Sequence, residues 1–191
     1  MLKKSQKQFF LVILIILFLI AAFFIFFHAK SQNVPIKEKS ISTKFYNSKE
    51  ITLTSNLPIS DELGKKLDGK GTEDGIQGYQ EFDIKNNLKE SVKYQIYITK
   101  KELKNEVRGN YIKFYLTDEA DNPLEEYNQN SVPTYTDLLA LNELPGSRLL
   151  YSGELKNNET KKLILRAWLS DSYIVSTENR EFTFEINVKT N

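Results

Sequence analysis

The chain has 191 residues with 26 Lys and Arg, 25 Asp and Glu, one His and no Cys, and its formal net charge is +1. The absence of cysteine excludes a disulfide framework, and with His28 as the single histidine a Cys/His zinc site and a His-dependent catalytic triad are excluded as well. The near balance of charge argues against nucleic acid as a partner and against a polybasic lipid-binding patch.

The first predicted element is a membrane-spanning helix. Residues Phe9 to Phe27 are all apolar, and a helix of this run is roughly 28 Å long, close to the ~30 Å hydrocarbon core of a bilayer. Because lysines precede the run, residues 1–8 are predicted to be cytoplasmic and residues 9–28 to form a signal anchor. Basic and aromatic side chains mark the ends of the anchor: Lys3, Lys4, Lys7, Phe9, Phe10, Phe26 and Phe27.

A cleaved secretory signal peptide is the alternative interpretation of this segment. Signal peptides have apolar regions of about 7–15 residues and small residues one and three positions before the cut. Cutting after Ala29 would place the bulky Phe27 at the third position. We therefore predict an uncleaved, single-pass cell-membrane protein whose C-terminal part is extracellular.

Residues 29–40 are polar, contain Pro35 and show no apolar pattern, so they are predicted to form an extracellular stalk. Residues 41–191 are enough for one well-buried domain. The abundance of Lys, Asn, Ile and Tyr, without cysteine, is typical of exported domains of low-GC Gram-positive bacteria.

From Ile41 onward the apolar residues alternate with a period of two, which predicts strands. Short strands are predicted at Ile51–Thr54 and Tyr79–Ile84, the latter ending in a turn at Lys85–Asn87, and another at Leu149–Tyr151. Four longer strands each place one apolar row toward the core: Val92, Tyr94, Ile96 and Ile98; Ile112, Phe114 and Leu116; Leu163, Leu165, Ala167 and Leu169; Phe182, Phe184, Ile186 and Val188.

One short helix is predicted at Thr136–Leu141, with a stop at Pro145 and Gly146. Six to eight short strands without crossover helices indicate an all-β fold, an antiparallel Ig-like β-sandwich behind the single transmembrane helix. The order of the strands does not follow from the sequence.

Three aromatic residues are candidates for recognition. Trp168 lies on the second face of its strand with Ile164 and Arg166, and it either caps one end of the core or serves as a ligand-stacking platform. Tyr97 and Tyr115 fit packing on a sheet face, where aromatic residues are favoured, and an outward row of Tyr also suits a binding surface.

Two long loops, Asp61–Gly78 and Asp118–Val132, concentrate carboxylates. Calcium prefers six to eight oxygen ligands from flexible turns, but lysines interrupt the first loop and the spacing of neither loop matches an EF-hand. A solvated loop is the alternative, and no cofactor is predicted. The weak calcium candidates are Asp61, Asp68, Glu73, Asp74, Asp118 and Asp121.

An enzyme is not predicted. The sequence contains no Gly-x-Ser-x-Gly elbow and no phosphate-binding Gly-rich loop between a strand and a helix. No pair of carboxylates stands out as the acid and base of a glycosidase. A membrane-attached hydrolase is the third and weakest hypothesis.

Two segments resemble known surface proteins. Residues 82–98, FDIKNNLKESVKYQIYI, resemble the strand–turn–strand of Ig-like surface modules. Residues 150–170, LYSGELKNNETKKLILRAWLS, are similar to the stretch before the last strands of camelysin/TasA-type proteins. The resemblance covers residues 79–188 and implies an exported β-sandwich, which in some members assembles into matrix fibres. The long anchor departs from the cleavable signal of that family, and the chain has no His pair to carry its reputed protease activity.

The leading functional hypothesis is a membrane-anchored extracytoplasmic binding or adaptor module that contacts a surface protein or a cell-wall component through its two long loops. The alternative is a structural subunit of a surface or matrix fibre that self-associates by strand addition, with the stalk and Ile41 as donor strand. The lipid bilayer is the expected partner of the anchor.

Overall fold

The computed structural model describes residues 40–69, 78–124, 131–175 and 177–190. The predicted anchor, its flanking lysines and all of the stalk except Ser40 lie outside these ranges. The elements are β1 (Ile41–Phe45), β2 (Glu50–Thr54), α1 (Asp61–Gly64), β3 (Tyr79–Asn86), β4 (Val92–Lys100), a 3-10 turn (Gly109–Tyr111), β5 (Ile112–Asp118), β6 (Leu139–Ala140), β7 (Ser147–Leu155), β8 (Thr160–Leu169) and β9 (Glu181–Thr190).

The strands form two antiparallel sheets, so the predicted all-β class is confirmed. One sheet has four strands in the order β1-β3-β8-β5, and the other has five in the order β2-β9-β4-β7-β6. The first strand pair divides between the sheets: β1 joins the edge of the four-stranded sheet, and after a short connection β2 joins the edge of the five-stranded one.

The hydrophobic core lies between the two sheets. Phe114 of β5 and Phe184 of β9, both fully buried, meet edge-on with ring centroids 5.1 Å apart. The four predicted apolar rows all face this core, and only Val92 and Val188, at strand ends, are partly exposed. The period-two pattern therefore located the inner face of every long strand, because one buried face forces this alternation.

The helix predicted at Thr136–Leu141 was wrong. Residues 135–137 form a turn that leads into β6 at Leu139, where a helix was predicted. The turn is fixed by Asp137, whose carboxylate accepts hydrogen bonds from the backbone N and the hydroxyl of Thr134 at 2.8 and 2.7 Å. A single helical turn, α1, instead begins inside the first acidic loop, where Ser60 caps it by accepting from the N–H of Leu63.

Asn86 lies within β3, although the sequence pattern placed it in a turn. Its side chain is fully buried, and its amide Nδ2 donates to the carbonyls of Glu90 and Lys156 at 2.7 and 2.8 Å. Its Oδ1 accepts from the N–H of Leu88 at 2.9 Å. One side chain thus joins the β3–β4 turn to the β7–β8 turn, and backbone groups that the sheets leave unpaired are satisfied.

Replacing Asn86 tests this junction. We expect Asn86→Asp to lower the free energy of unfolding by about 3 kcal/mol, since a carboxylate would face two carbonyl oxygens without a donor. Urea unfolding of the full chain in detergent, followed by circular dichroism, measures the loss. Asn87→Asp is the matched control, because the acceptor that Ser42 contacts is kept. Equal midpoints for the two variants would show that the junction contributes nothing.

Candidate functional site

The outer face of the four-stranded sheet is covered by the chain's own loops. On β8 not only the inward row but also Ile164, Arg166 and Trp168 are buried, so both faces of this strand are removed from solvent. The described part of the cover consists of residues 61–67, around α1, together with residues 118–124 and Val132. These residues belong to the two loops that the sequence singled out, and the structure brings them onto one face.

Trp168 lies beneath α1. Its indole is 2 % exposed, and a Cβ added to Gly64 would approach its ring atom Cδ2 to 2.2 Å, so only glycine allows this close approach. Among the described residues its Nε1 has no hydrogen-bond acceptor. The side chain therefore packs against the chain's own helix and belongs to the hydrophobic core cluster, so its position differs from an open stacking platform. The role as a cap at one end of the core stays a prediction.

Arg166 is the centre of the covered face. Its side chain is 5 % exposed and makes three hydrogen bonds: Nε to the carbonyl of Leu67 at 2.6 Å, Nη1 to Oγ1 of Thr117 at 3.0 Å, and Nη2 to Oδ1 of Asp121 at 2.6 Å. Leu67 belongs to the first loop and Asp121 to the second. One guanidinium therefore fixes both loops to the sheet, as its fork of donors allows.

A second connection between the loops lies two register pairs away on the same face, at Lys113, which is the cross-strand neighbour of Trp168. Its ammonium is 3.5 Å from a carboxylate oxygen of Asp61 and donates to the carbonyl of Val132 at 3.1 Å. This residue again connects the first loop with the second.

The other predicted aromatic residues divide between the two sheets. Tyr115 is buried on the covered face beside Arg166, with the ammonium of Lys65 5.6 Å from the centre of its ring. Tyr97 lies on β4 in the five-stranded sheet, at the irregularity where β4 pairs with β7. The three candidate aromatics therefore do not form one surface.

The described carboxylates of the weak calcium set, Asp68 included, all take part in interactions with other groups. Besides the ion pairs of Asp61 and Asp121, Asp118 accepts from the N–H groups of Ala120 and Asn122, both at 2.9 Å. Burial would raise the pKa of Asp118, but the hydrogen bonds from Asn122 and Ala120 outweigh it and lower the pKa. Asp121 has a positive φ of 63° in this turn, which Asp tolerates. Glu73 and Asp74 lie outside the described residues.

Within the described ranges, no group of three His, Asp or Glu residues is arranged to hold a metal ion. The described part of the chain also contains no helix that is long and apolar enough to cross a membrane.

A polar strip continues from Arg166 across β3. The guanidinium of Arg166 lies 5.5 Å from the ring centre of Tyr79, whose hydroxyl donates to Glu81 at 2.6 Å. Burial, with the bond to Glu81, raises the pKa of Tyr79 to about 12. The bonds from Tyr79 and from Lys162 lower the pKa of Glu81. The pKa values of Tyr79 and Glu81 in this strip therefore depend on each other.

The five-stranded sheet carries an apolar groove of about 230 Å³ at its β6–β7 edge. Leu139 of β6 is 67 % exposed at this groove. The residues that line it are Pro133, Asp137, Leu138, Leu139, Leu149, Leu150, Tyr151 and Ser152. This groove was not predicted from the sequence, because the helix predicted at Thr136–Leu141 covers the residues that form the edge strand β6.

Comparison with protein-family models, with curated proteins and with solved structures gives no match to this chain. The resemblance to camelysin/TasA-type proteins therefore stays a prediction from the quoted segments.

The role of Arg166 predicts that the two loops open together. In Asp121→Asn, the second loop loses its charged acceptor, and we expect a local destabilisation of about 1 kcal/mol, since Asp121 itself is largely exposed. Hydrogen exchange of the backbone amides should accelerate about fivefold in residues 118–124 and also in residues 63–69. Glu119→Gln, an exposed neighbour in the same turn, should change neither segment. Acceleration confined to residues 118–124 would contradict the coupling.

The polar strip predicts a loss of stability at alkaline pH. Between pH 10 and about 12 the folded state keeps the proton of Tyr79 that the unfolded chain has lost, so the free energy of unfolding falls as the pH rises. In Tyr79→Phe this dependence should be weaker over the same range. Urea midpoints of the full chain across this range measure the slope, and Tyr97→Phe, on the other sheet, should keep it unchanged.

Proposed function

We propose that the chain is a membrane-anchored extracytoplasmic binding or adaptor module, which contacts a surface protein or a cell-wall component through the two loops on its four-stranded sheet. The anchor and its orientation rest on the sequence of residues 1–28. The observation that carries the recognition part is the joint attachment of both loops to Arg166. A prearranged surface loses less conformational entropy when it binds, so two loops held on a rigid sheet are suited to recognition.

The side chains that the attached loops present are mixed in character. Leu63 on α1 is 58 % exposed, and it is flanked by the i,i+4 ion pair of Glu62 and Lys66, whose side chains are largely exposed. In the second loop Glu119 and Ala120 are exposed. An apolar residue within charged surroundings resembles the centre and rim of protein–protein contact surfaces. This composition favours a protein partner over a lipid surface.

We further propose that the domain is a variant of the Ig-like sandwich. In that fold one sheet contains the strands in the order A, B, E and D, so the strand latest in the chain occupies the third position. The order β1-β3-β8-β5 follows the same rule, with β8 in the third position. The second sheet differs from the C, F and G strands of the Ig fold, because β9, the last strand of the chain, pairs directly with β4. The transfer of the chain from β1 to β2 corresponds to a first strand shared by both sheets.

Strand addition between copies, the alternative function, has less support. The outer edge of β5 is bonded by its own chain: the N–H of Phe114 donates to Pro133, and the N–H of Tyr135 donates to Ile112. Edges covered in this way do not accept a further strand. Ile41, one of the suggested donor residues, is instead buried in β1 and pairs with Asn86 of its own chain.

Site-directed photo-crosslinking in intact cells tests the adaptor proposal. A benzophenone amino acid replaces Leu63 or Glu119 on the attached loops, or Lys93 on the exposed outer face of β4 as the control. We expect a discrete heavier product from the two loop positions and none from Lys93. Adding Asp121→Asn should reduce the yield, since the loops then lose their common attachment. Products of equal yield from all three positions would rule out loop-directed recognition.

A further inference from the structure

The loop between β8 and β9 ends in a small apolar protrusion formed by Ile174 and Val175, called here the tip. Ile174 is 89 % exposed and Val175 51 % exposed. Ile174 is the most exposed large apolar side chain of the described residues, and Leu57, in the segment that the ends of this loop contact, is 40 % exposed. Apolar residues grouped at one point of a surface indicate a contact site more strongly than scattered ones.

The tip is held firmly at its base. On one side the N–H of Ile59 donates to Leu169 at 2.9 Å, and the N–H of Asp171 donates to Ile59 at 3.1 Å. On the other side Ser55 and Arg180 exchange two hydrogen bonds, through the N–H of Ser55 at 2.8 Å and its Oγ at 3.0 Å. Both ends of the loop are therefore fastened to the segment 55–59.

An edge-on ring contact adds to these bonds. Tyr173, directly before the tip, packs against Tyr111 with ring centroids 5.2 Å apart. A loop fastened at three points presents Ile174 and Val175 outward in a defined position.

The groove at the β6–β7 edge has the size and character that fit the tip. Its volume of about 230 Å³ is larger than the ~150 Å³ of an apolar cavity that accommodates the six carbon atoms of benzene. The side chains of Ile174 and Val175 together contain seven carbon atoms. Four leucines and a proline form most of the wall, so the two surfaces match in apolar character.

The charges around the two surfaces are opposite. Arg148 lies beside the groove, where its guanidinium donates to the carbonyl of Leu138, and Lys161 lies 5.6 Å from the ring centre of Tyr151. The groove wall also carries the anionic Asp137. Arg148, Lys161 and Asp137 together therefore have one positive charge in excess. At the tip Asp171 is exposed, while Glu178 and Arg180 pair with each other, which leaves one negative charge in excess.

We propose that the tip of one copy docks into the β6–β7 groove of a second copy. The structure has both halves of an apolar, charge-matched contact on one chain, at two different places, with the tip solvent-exposed in its own copy. Such a contact is heterologous: each copy offers a tip to one neighbour and a groove to another. Copies joined in this way form a ring or an open row along the membrane. This contact is independent of the loop-directed recognition proposed above.

Cysteine trapping tests the contact on a clean background, because the natural chain has no cysteine. Full chains carrying Ile174→Cys and one affinity tag are co-expressed with full chains carrying Leu139→Cys and another tag. Membranes are then oxidised with copper phenanthroline. We expect a disulfide-linked pair containing both tags, and a ladder of longer products when both substitutions are placed on one chain. Ile174→Cys paired with Lys93→Cys is the matched control and should give little product.

Two further results decide between this contact and others. Asp171→Lys in the chain that carries Ile174→Cys should lower the yield severalfold, and the yield should also fall as the salt concentration rises, since screening weakens the charge match. Products that form only between two Ile174→Cys chains would overturn the proposal in favour of a tip-to-tip contact. Equal yields with Leu139→Cys and Lys93→Cys would also overturn it, because they indicate random collision. Neither result bears on the photo-crosslinks from Leu63 and Glu119.

Discussion

A guanidinium that is withdrawn from water must have its donors satisfied by groups that come to it, and on the outer face of the four-stranded sheet those groups belong to loops. Arg166 receives the carbonyl of Leu67 from one side and the carboxylate of Asp121 from the other. Removing either loop would take away one of the three acceptors of a buried charge, and an incompletely satisfied charge in a protein interior is strongly unfavourable. The positions of α1, the turn at Asp118 and the cover over Trp168 all depend on this requirement.

The same requirement explains why the two sheets differ. Each sheet buries its inner face in the common core, but on β8 the outer row is also buried, and its centre is charged. The outer face of the five-stranded sheet has exposed positions such as Lys93 and Glu154. An accessory cover thus makes one face suitable for presenting loops, while the other keeps an apolar groove at its edge.

The sequence predicted those parts of the fold that depend on local periodicity. The rows that contain Tyr94, Phe114, Leu163 and Phe184 face the core as their alternation indicates, because a sheet with one buried face tolerates no other pattern. The cover was not predictable in this way. Arg166 occupies an outward position where a solvated side chain is the normal expectation, and its contacts join residues 99 and 45 positions apart. The interruption of the apolar stretch 163–169 by one arginine was the available signal.

The wrong helix at Thr136–Leu141 has a similar origin. Its apolar residues fit a helical turn locally, but Leu139 pairs with Leu149 across the sheet edge and Asp137 closes a turn onto Thr134. Tertiary pairing therefore overrode the local preference. Asn86 was placed in a turn for a comparable reason: Asn is common in turns, and one of the two carbonyls to which its side chain donates, that of Lys156, lies 70 residues away in the chain.

The direction of β1 has a mechanical consequence. The chain enters β1 at Ile41, opposite Asn86, which is the end of the sheet away from α1 and the tip. A pull on residue 40, with the domain held by partners at α1 or the tip, acts along β1. Hydrogen bonds between antiparallel strands run perpendicular to this direction, so the pairs from Ile41↔Asn86 to Phe45↔Phe82 are loaded in shear and share the load. A domain attached in this way resists extension better than one whose first strand is peeled away pair by pair.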